Sequence, residues 1–295
     1  MELEATTSPL FPESPASQIQ FSRTWYELAS DSHFWMEWRF RVLQQLMVDL
    51  GLDKTKYLSV LDVGAGTGVV AAMIERTTQW RVDGVELNPR ALECAYRGRG
   101  RMFLYDIREK RSEMVGRYDV VLLLDVLEHV EESVLFLEAA VAHLNPGGRL
   151  VINVPALPKL YGRYDRAVGH LRRYSRSDLI SEAKQAGLQV ECVRYWGLSL
   201  IPLLVARNSW LRWHSSTDSH PTHIVHRGFH APWWLGKLLK LTMQVETLLL
   251  SSPPVGTSII MAGVRSSNPL KIESSPVDKW HHKASALFDS MYHSV

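Results

Sequence analysis

From Tyr57 onward, short runs rich in Val, Ile and Leu alternate with amphipathic stretches, which is the pattern of strands separated by helices. The runs predict strands at Tyr57–Val63, Trp80–Glu86, Met102–Tyr105, Tyr118–Leu124, Arg149–Val154, Gln189–Tyr195 and Ser258–Val264. Between the fourth and fifth, Val134, Leu137, Val141 and Leu144 recur at helical spacing over Glu131–Leu144, and Asn145-Pro146-Gly147-Gly148 predicts the stop and turn. A second helix is predicted at Ser177–Gln185, with Gly187 as its C-terminal stop. Such alternation predicts a doubly wound α/β fold, a seven-stranded, mostly parallel sheet with helices on both faces.

Two segments break the alternation, residues 155–176 and 197–255, each following a strand late in the sheet. Ligands of open α/β sheets sit outside the carboxyl ends of the strands, so these insertions are expected to build the substrate side. With residues 21–56 before the sheet they would form an α-helical cap on a core spanning 57–265. Residues 1–20 are Pro/Ser-rich and residues 266–295 lack periodicity, so both are expected to be tails outside the fold.

Composition narrows the function classes. The chain has 295 residues, 46% hydrophobic and 22% charged, with a net charge of +2 that gives no basic groove and argues against a nucleic-acid partner. Only Cys94 and Cys192 are present, far apart, which fits a reducing cytoplasm and suggests two buried packing thiols. The best apolar run, Leu198–Ala206, is interrupted by Pro202 and falls short of the roughly 18 residues of a membrane span.

The strongest chemical signal is Leu61-Asp62-Val63-Gly64-Ala65-Gly66-Thr67-Gly68-Val69-Val70, an apolar strand, a glycine turn and the start of a helix. The spacing is G-x-G-x-G, one residue tighter than a dinucleotide fingerprint. It suits a ligand that carries an ammonium, a carboxylate and a sulfonium in place of a pyrophosphate, with Asp62 or a backbone carbonyl facing the cation. Glu86 ends the second strand at the distance expected of an acid that accepts from ribose hydroxyls.

On these residues the chain resembles the class I S-adenosylmethionine-dependent methyltransferases, from about Phe21 to Arg265. The resemblance implies S-adenosylmethionine as cofactor, bound at Gly64, Ala65, Gly66 and Gly68 for its methionine part. It also implies Glu86 and Leu87 at the ribose, Asp106 and Ile107 at the adenine, and an antiparallel seventh strand at Ser258–Val264. A run at 33–41 resembles an N-terminal helix over the cofactor, in which Arg39 could meet the methionine carboxylate as a fork or simply belong to a solvated lid. Trp35 and Tyr26 read as packing.

Leu124-Asp125-Val126-Leu127-Glu128-His129-Val130 is similar to a motif of quinone-biosynthesis O-methyltransferases, with Asp125 where Glu is usual. In a helix, Asp125, Glu128 and His129 would share one face and could hold a divalent ion. Magnesium is nevertheless not expected, and no metal ligand is assigned. Alternatively Glu128 and His129 are catalytic, with His129 as general base and Asp125 on the cofactor side, or Glu128 and His129 brace a helix end. After the fifth strand, Tyr161-Gly162-Arg163-Tyr164-Asp165 and Gly169-His170-Leu171-Arg172-Arg173-Tyr174 could bind an anionic or hydroxylated substrate, with Tyr164 and His170 as catalytic candidates, or form an internally bonded loop. The insertion bearing Trp196, Trp210, Trp213, Trp233 and Trp234 suits a substrate tunnel, a peripheral membrane surface, a dimer interface or a plain cap.

Together these readings predict methyl transfer to a small or medium-sized, rather apolar acceptor by a monomer or homodimer, with oxygen favoured as acceptor atom. Carbon methylation of a prenyl or aromatic compound is the first alternative. A cofactor-binding protein without turnover is the second.

Overall fold

The computed structural model describes residues 34–213, 233–250 and 252–265. The expected leader, Tyr26, the expected tail and the side chains of Trp233 and Trp234 lie outside the described residues.

In chain order the main elements are α1 (Phe34–Asp49), β1 (Ser59–Val63), α2 (Val69–Thr77), β2 (Arg81–Glu86), α3 (Pro89–Glu93), β3 (Met102–Leu104) and β4 (Tyr118–Leu124). There follow α4 (Ser133–His143), β5 (Leu144–Pro155), α5 (Arg163–Ala167), α6 (Arg176–Gln185), β6 (Leu188–Trp196), α7 (Ile201–Trp213), α8 (Trp233–Leu249) and β7 (Ser258–Arg265). The seven strands form one sheet in the order β3-β2-β1-β4-β5-β7-β6, parallel except where β7 runs antiparallel between β5 and β6. The fold class and the direction of the last strand are those expected.

Alternate residues of each strand feed two cores. Leu61, Val121, Leu123, Ile152 and Met261 pack against α4 and α6 through Leu137, Ala140, Leu179 and Ala183. Their neighbours Val60, Val120, Leu122, Val151 and Ile260 pack against α1, α2 and α8 through Trp38, Leu43, Ile74 and Met243. Burial on both faces explains why the strands read as continuous apolar runs instead of alternating with polar residues.

Three local expectations need correction. The Asn145–Gly148 turn lies within β5: Tyr118 pairs with Leu144 and Val120 with Arg149, so the turn residues bulge from a strand that begins where the helix ends. Asp125, Glu128 and His129 do not share a helix face, because Asp125 has φ +61° and only Leu127–His129 form a single 3-10 turn. Cys94 is exposed and Cys192 half-buried, so neither is a fully buried packing thiol.

Candidate active site

The glycine turn joins β1 to α2 in a left-handed path, with φ of +71°, +57° and +75° at Gly64, Gly66 and Gly68. A Cβ at Gly64 would stand 2.8 Å from Val126 Cγ2, so the close approach of this turn to the loop after β4 requires glycine. Glu86, 7% exposed, holds the turn from the end of β2. Its Oε2 accepts from Gly66 N at 2.9 Å, and its Oε1 accepts from Leu87 N and Asn88 N at 2.8 and 2.9 Å. Oε1 is thereby filled, and Oε2 keeps one lone pair for a further donor.

Asp62, in β1 beneath the turn, is buried, and its Oδ2 has no hydrogen-bond partner among the described residues. Burial pushes its carboxyl up to about 7; Arg39 pulls the other way and Glu86 adds to the rise. An orphaned carboxyl oxygen beside a glycine turn is a ready acceptor for an ammonium, and with Glu86 it forms a pair of acceptors that fits the ammonium and hydroxyl donors of S-adenosylmethionine. Ala65 is half-buried in the same turn, and Leu87 is half-buried just beyond Glu86.

Arg39 reaches in from α1. It forms an ion pair with Asp125, donates to Met36 Sδ at 3.4 Å and lies 4.9 Å from the Trp35 ring centroid. Asp125 Oδ1 accepts from Asn153 Nδ2 at 2.8 Å, and Asn153 Oδ1 accepts from Trp196 Nε1 at 2.8 Å. Trp196 packs in turn against Trp35 and Trp38 of α1, with ring centroids 6.0 and 5.8 Å apart. This chain latches α1 across the carboxyl ends of β4 and β5, and Asn153 is a member that the sequence did not single out. Asp106 caps the turn after β3 through Arg108 N at 3.0 Å and forms a two-oxygen pair with the Arg108 side chain. The Ile107 side chain is buried in the core.

The second cluster forms where residues 127–129 meet the insertion after β5. Leu171 N donates to the Glu128 carbonyl at 2.8 Å, and His129 Nδ1 donates to the Gly169 carbonyl at 3.0 Å, which leaves the lone pair of a neutral His129 ring on Nε2. Asp165, at 0% exposure, is the hub. It accepts from Gly162 N at 2.8 Å, from Arg173 Nε at 2.8 Å and from His170 Nδ1 at 3.1 Å. Burial would raise its carboxyl, but the His170 hydrogen bond and the Arg173 charge outweigh that and bring it to about 2. An ionised Asp165 fixes His170 as the Nδ1–H tautomer and aims its Nε2 at Glu128 Oε1, 3.8 Å away.

Glu128 is fully buried, and neither carboxylate oxygen has a hydrogen-bond partner among the described residues. Burial and then the Asp125 charge raise its pKa well above the ordinary carboxylate range, favouring the neutral acid. Burial, then the neighbouring His170, lowers His129 to about 4. Tyr164, raised to about 12 mainly by burial, lies under the Arg207 guanidinium at 3.7 Å from its ring centroid.

The structure thus brings Glu128, His129 and His170 together and turns Asp125 toward Arg39. Donor atoms of Glu128, His129 and His170 lie within 4.8 Å of one another among the described residues. One carboxylate and two imidazoles suit a borderline metal such as zinc better than magnesium, which prefers oxygen. The hub role of Asp165 was missed because an acid inside a Tyr/Arg-rich stretch gives no local sign of whom it meets.

Comparison with known proteins bears on the family and the fold. Residues 35–193 match the family described as methyltransferase domain. The ubiquinone biosynthesis O-methyltransferase of Leptothrix cholodnii is 31% identical over 151 residues, covering 46% of this chain and 60% of that protein. The corresponding Vibrio parahaemolyticus protein is 30% identical over 132 residues, covering 40% and 56%. The chain therefore spans less than two thirds of the length of these relatives.

Solved structures show the same fold. Phosphoethanolamine N-methyltransferase 2 of Haemonchus contortus, in complex with S-adenosyl-L-methionine, superposes with a TM-score of 0.54 at 17% identity, over 84% of this chain and 58% of that one. The cyclase SpnF superposes with the same TM-score of 0.54 at 15% identity, over 79% and 83%. With more than half of its length matched to the family model, the chain belongs to the methyltransferase domain family.

Proposed function

We propose that the protein transfers the methyl group of S-adenosylmethionine to a hydroxyl oxygen of a small or medium-sized acceptor with an apolar body, and that His170 takes the hydroxyl proton. The observation that carries this reading is the Asp165–His170 pair, which aims an imidazole Nε2 into the cluster beside Glu128. When bound, the cofactor supplies a methyl carbon already activated by a sulfonium. The protein's task is then to orient the acceptor and remove its proton.

Glu86 would hold the ribose, Gly64, Ala65, Gly66 and Gly68 the methionine part, and Asp62 the ammonium. Arg39 would pair with the carboxylate while Asp125 keeps it in place. Asp106 would accept from the adenine amino group. His170 is favoured over His129 as base because burial has made His129 a weak one, at about 4. After transfer the His170 imidazolium gives the hydroxyl proton to solvent, because the neutral form favoured for Glu128 has no free carboxylate to receive it. The relatives named as ubiquinone biosynthesis O-methyltransferases support oxygen as the acceptor atom.

The test has two stages. Calorimetric titration with S-adenosylhomocysteine, with and without magnesium, should show binding of equal affinity in both; no binding refutes the cofactor reading. A panel of catechols and hydroxylated prenyl compounds is then assayed with methyl-labelled S-adenosylmethionine, where His170→Asn should abolish turnover and leave S-adenosylhomocysteine affinity unchanged. Equal turnover in wild type and His170→Asn removes His170 as the base.

A further inference from the structure

Two arginines stand near Asp165, and only one of them is satisfied by it. Arg173 donates to Asp165 through Nε and NH2, at 2.8 and 2.7 Å, and through NH1 to the Ala156 carbonyl at 3.0 Å. Arg207, on α7, lies flat over the Tyr164 ring at 3.7 Å, and its Nε is buried with no hydrogen-bond partner among the described residues. No carboxylate among the described residues pairs with Arg207, and burial together with the Arg173 charge disfavours its cationic form. One residue further along α7, Asn208 donates to the Leu160 carbonyl at 2.7 Å, which fixes the register of this helix face on the insertion.

Arg207 is half-buried, and a guanidinium drawn partly out of water without a counter-ion is unfavourable unless something else brings the charge. Asp165, the one carboxylate that acts on Arg207, is already taken up by Arg173, so Arg207 lacks a negative partner of its own among the described residues. Nε is closed off, and the two terminal nitrogens, which have no hydrogen-bond partner among the described residues either, form the open fork that a planar carboxylate accepts with two parallel hydrogen bonds. Stacking on Tyr164 holds the plane of that fork fixed. Tyr164 adjoins Asp165, which orients His170, so an anion held here would lie close to the proposed base.

We propose that Arg207, braced by Tyr164, is an anion subsite that binds a carboxylate carried by the methyl acceptor; the link to the acceptor rests on the proposed function. The substrate class is thereby narrowed to hydroxylated acids with a single carboxylate. The acceptor would be anchored by its acid end, with its hydroxyl presented toward His170.

The probes are benzoate and its neutral counterpart benzamide, titrated calorimetrically into the full-length protein saturated with S-adenosylhomocysteine. Benzoate is expected to bind at least tenfold more tightly than benzamide, with phenyl phosphate no tighter than benzoate. Arg207→Met should bring benzoate down to the benzamide level without a fall in Tm and with S-adenosylhomocysteine affinity unchanged. Arg207→Lys keeps the charge without the fork, and should also lose about tenfold.

Equal binding of benzoate and benzamide, undiminished benzoate binding in either variant, or tighter binding of phenyl phosphate overturns the proposal. A protein that fails to bind S-adenosylhomocysteine refutes the proposed function instead. Benzoate titrated into the unloaded wild type and Arg207→Met proteins then still reads the subsite by itself.

Discussion

Replacing Asp165 by Asn keeps the shape of the side chain and removes one buried negative charge. The carboxyl is held at about 2 instead of 3.8, which at neutral pH favours the folded state by roughly 2 kcal/mol through this group alone. The substitution also leaves Arg173, 5% exposed, without its ion-pair partner, and breaking a buried pair by removing one member costs about 3–5 kcal/mol. The two figures describe one interaction seen from its two sides and are not additive. An overall loss of about 3 kcal/mol at pH 7 is expected, because an Asn oxygen still accepts one of the hydrogen bonds.

The sign of the pH dependence follows from a depressed folded pKa. The contribution is fully present above the unfolded value near 3.8 and is lost as pH falls through about 2. Urea denaturation followed by circular dichroism at pH 7 and at pH 3 measures both effects. The gap between wild type and Asp165→Asn should be about 3 kcal/mol at pH 7 and clearly smaller at pH 3. A gap below about 1 kcal/mol at pH 7, or one that does not narrow in acid, refutes the assignment of Asp165 as an ionised hub. Turnover gives an independent reading: loss of the Nδ1–H acceptor should lower the rate by about 100-fold, within the usual range for a general base, with cofactor affinity retained.

Further predictions concern the cofactor side and the histidines. Glu86→Ala should weaken S-adenosylhomocysteine binding by about 10- to 100-fold, since hydrogen bonds to a charged group are worth about 1.5–3 kcal/mol; unchanged calorimetric affinity would exclude Glu86 from the site. Gly64→Ala should destabilise the fold by about 2 kcal/mol, because a side chain at φ +71° is strained and its Cβ would meet Val126 Cγ2 at 2.8 Å; an unaltered urea midpoint would contradict this. His129 is held at about 4 against an ordinary 6.5, so the unfolded chain takes up its proton first and stability should decline as pH falls from 6.5 to about 4. His129→Asn should flatten that decline in urea titrations across the interval, and an identical slope would place the buried neutral histidine elsewhere.

The strands, the parallel sheet, the glycine turn and Glu86 were legible in the sequence because each depends on neighbours a few residues away. Apolar runs declare strands that are buried on both faces, and G-x-G-x-G after such a run declares a turn that the backbone makes unaided. The helix expected across Asp125, Glu128 and His129 followed the same local logic and failed, because partners distant in sequence decide that segment. Asn153 and Arg39 hold Asp125 in a left-handed conformation across 28 and 86 residues of chain.

The second half of the site was decided in the same way. Which histidine is oriented and which is made a weak base depends on Asp165 and Gly169 meeting the loop after β4, contacts carried by an insertion whose sequence shows only a dense mixture of Tyr, His and Arg. That Arg207 is left without a carboxylate among the described residues is likewise visible only once α7 has packed on that insertion. Periodicity and spacing record short-range geometry and so determined the scaffold and the cofactor loop. Desolvation and charge pairing depend on every group brought nearby, so tertiary packing alone decided how Glu128, His129, Asp165 and His170 meet and which of them is left without a partner among the described residues.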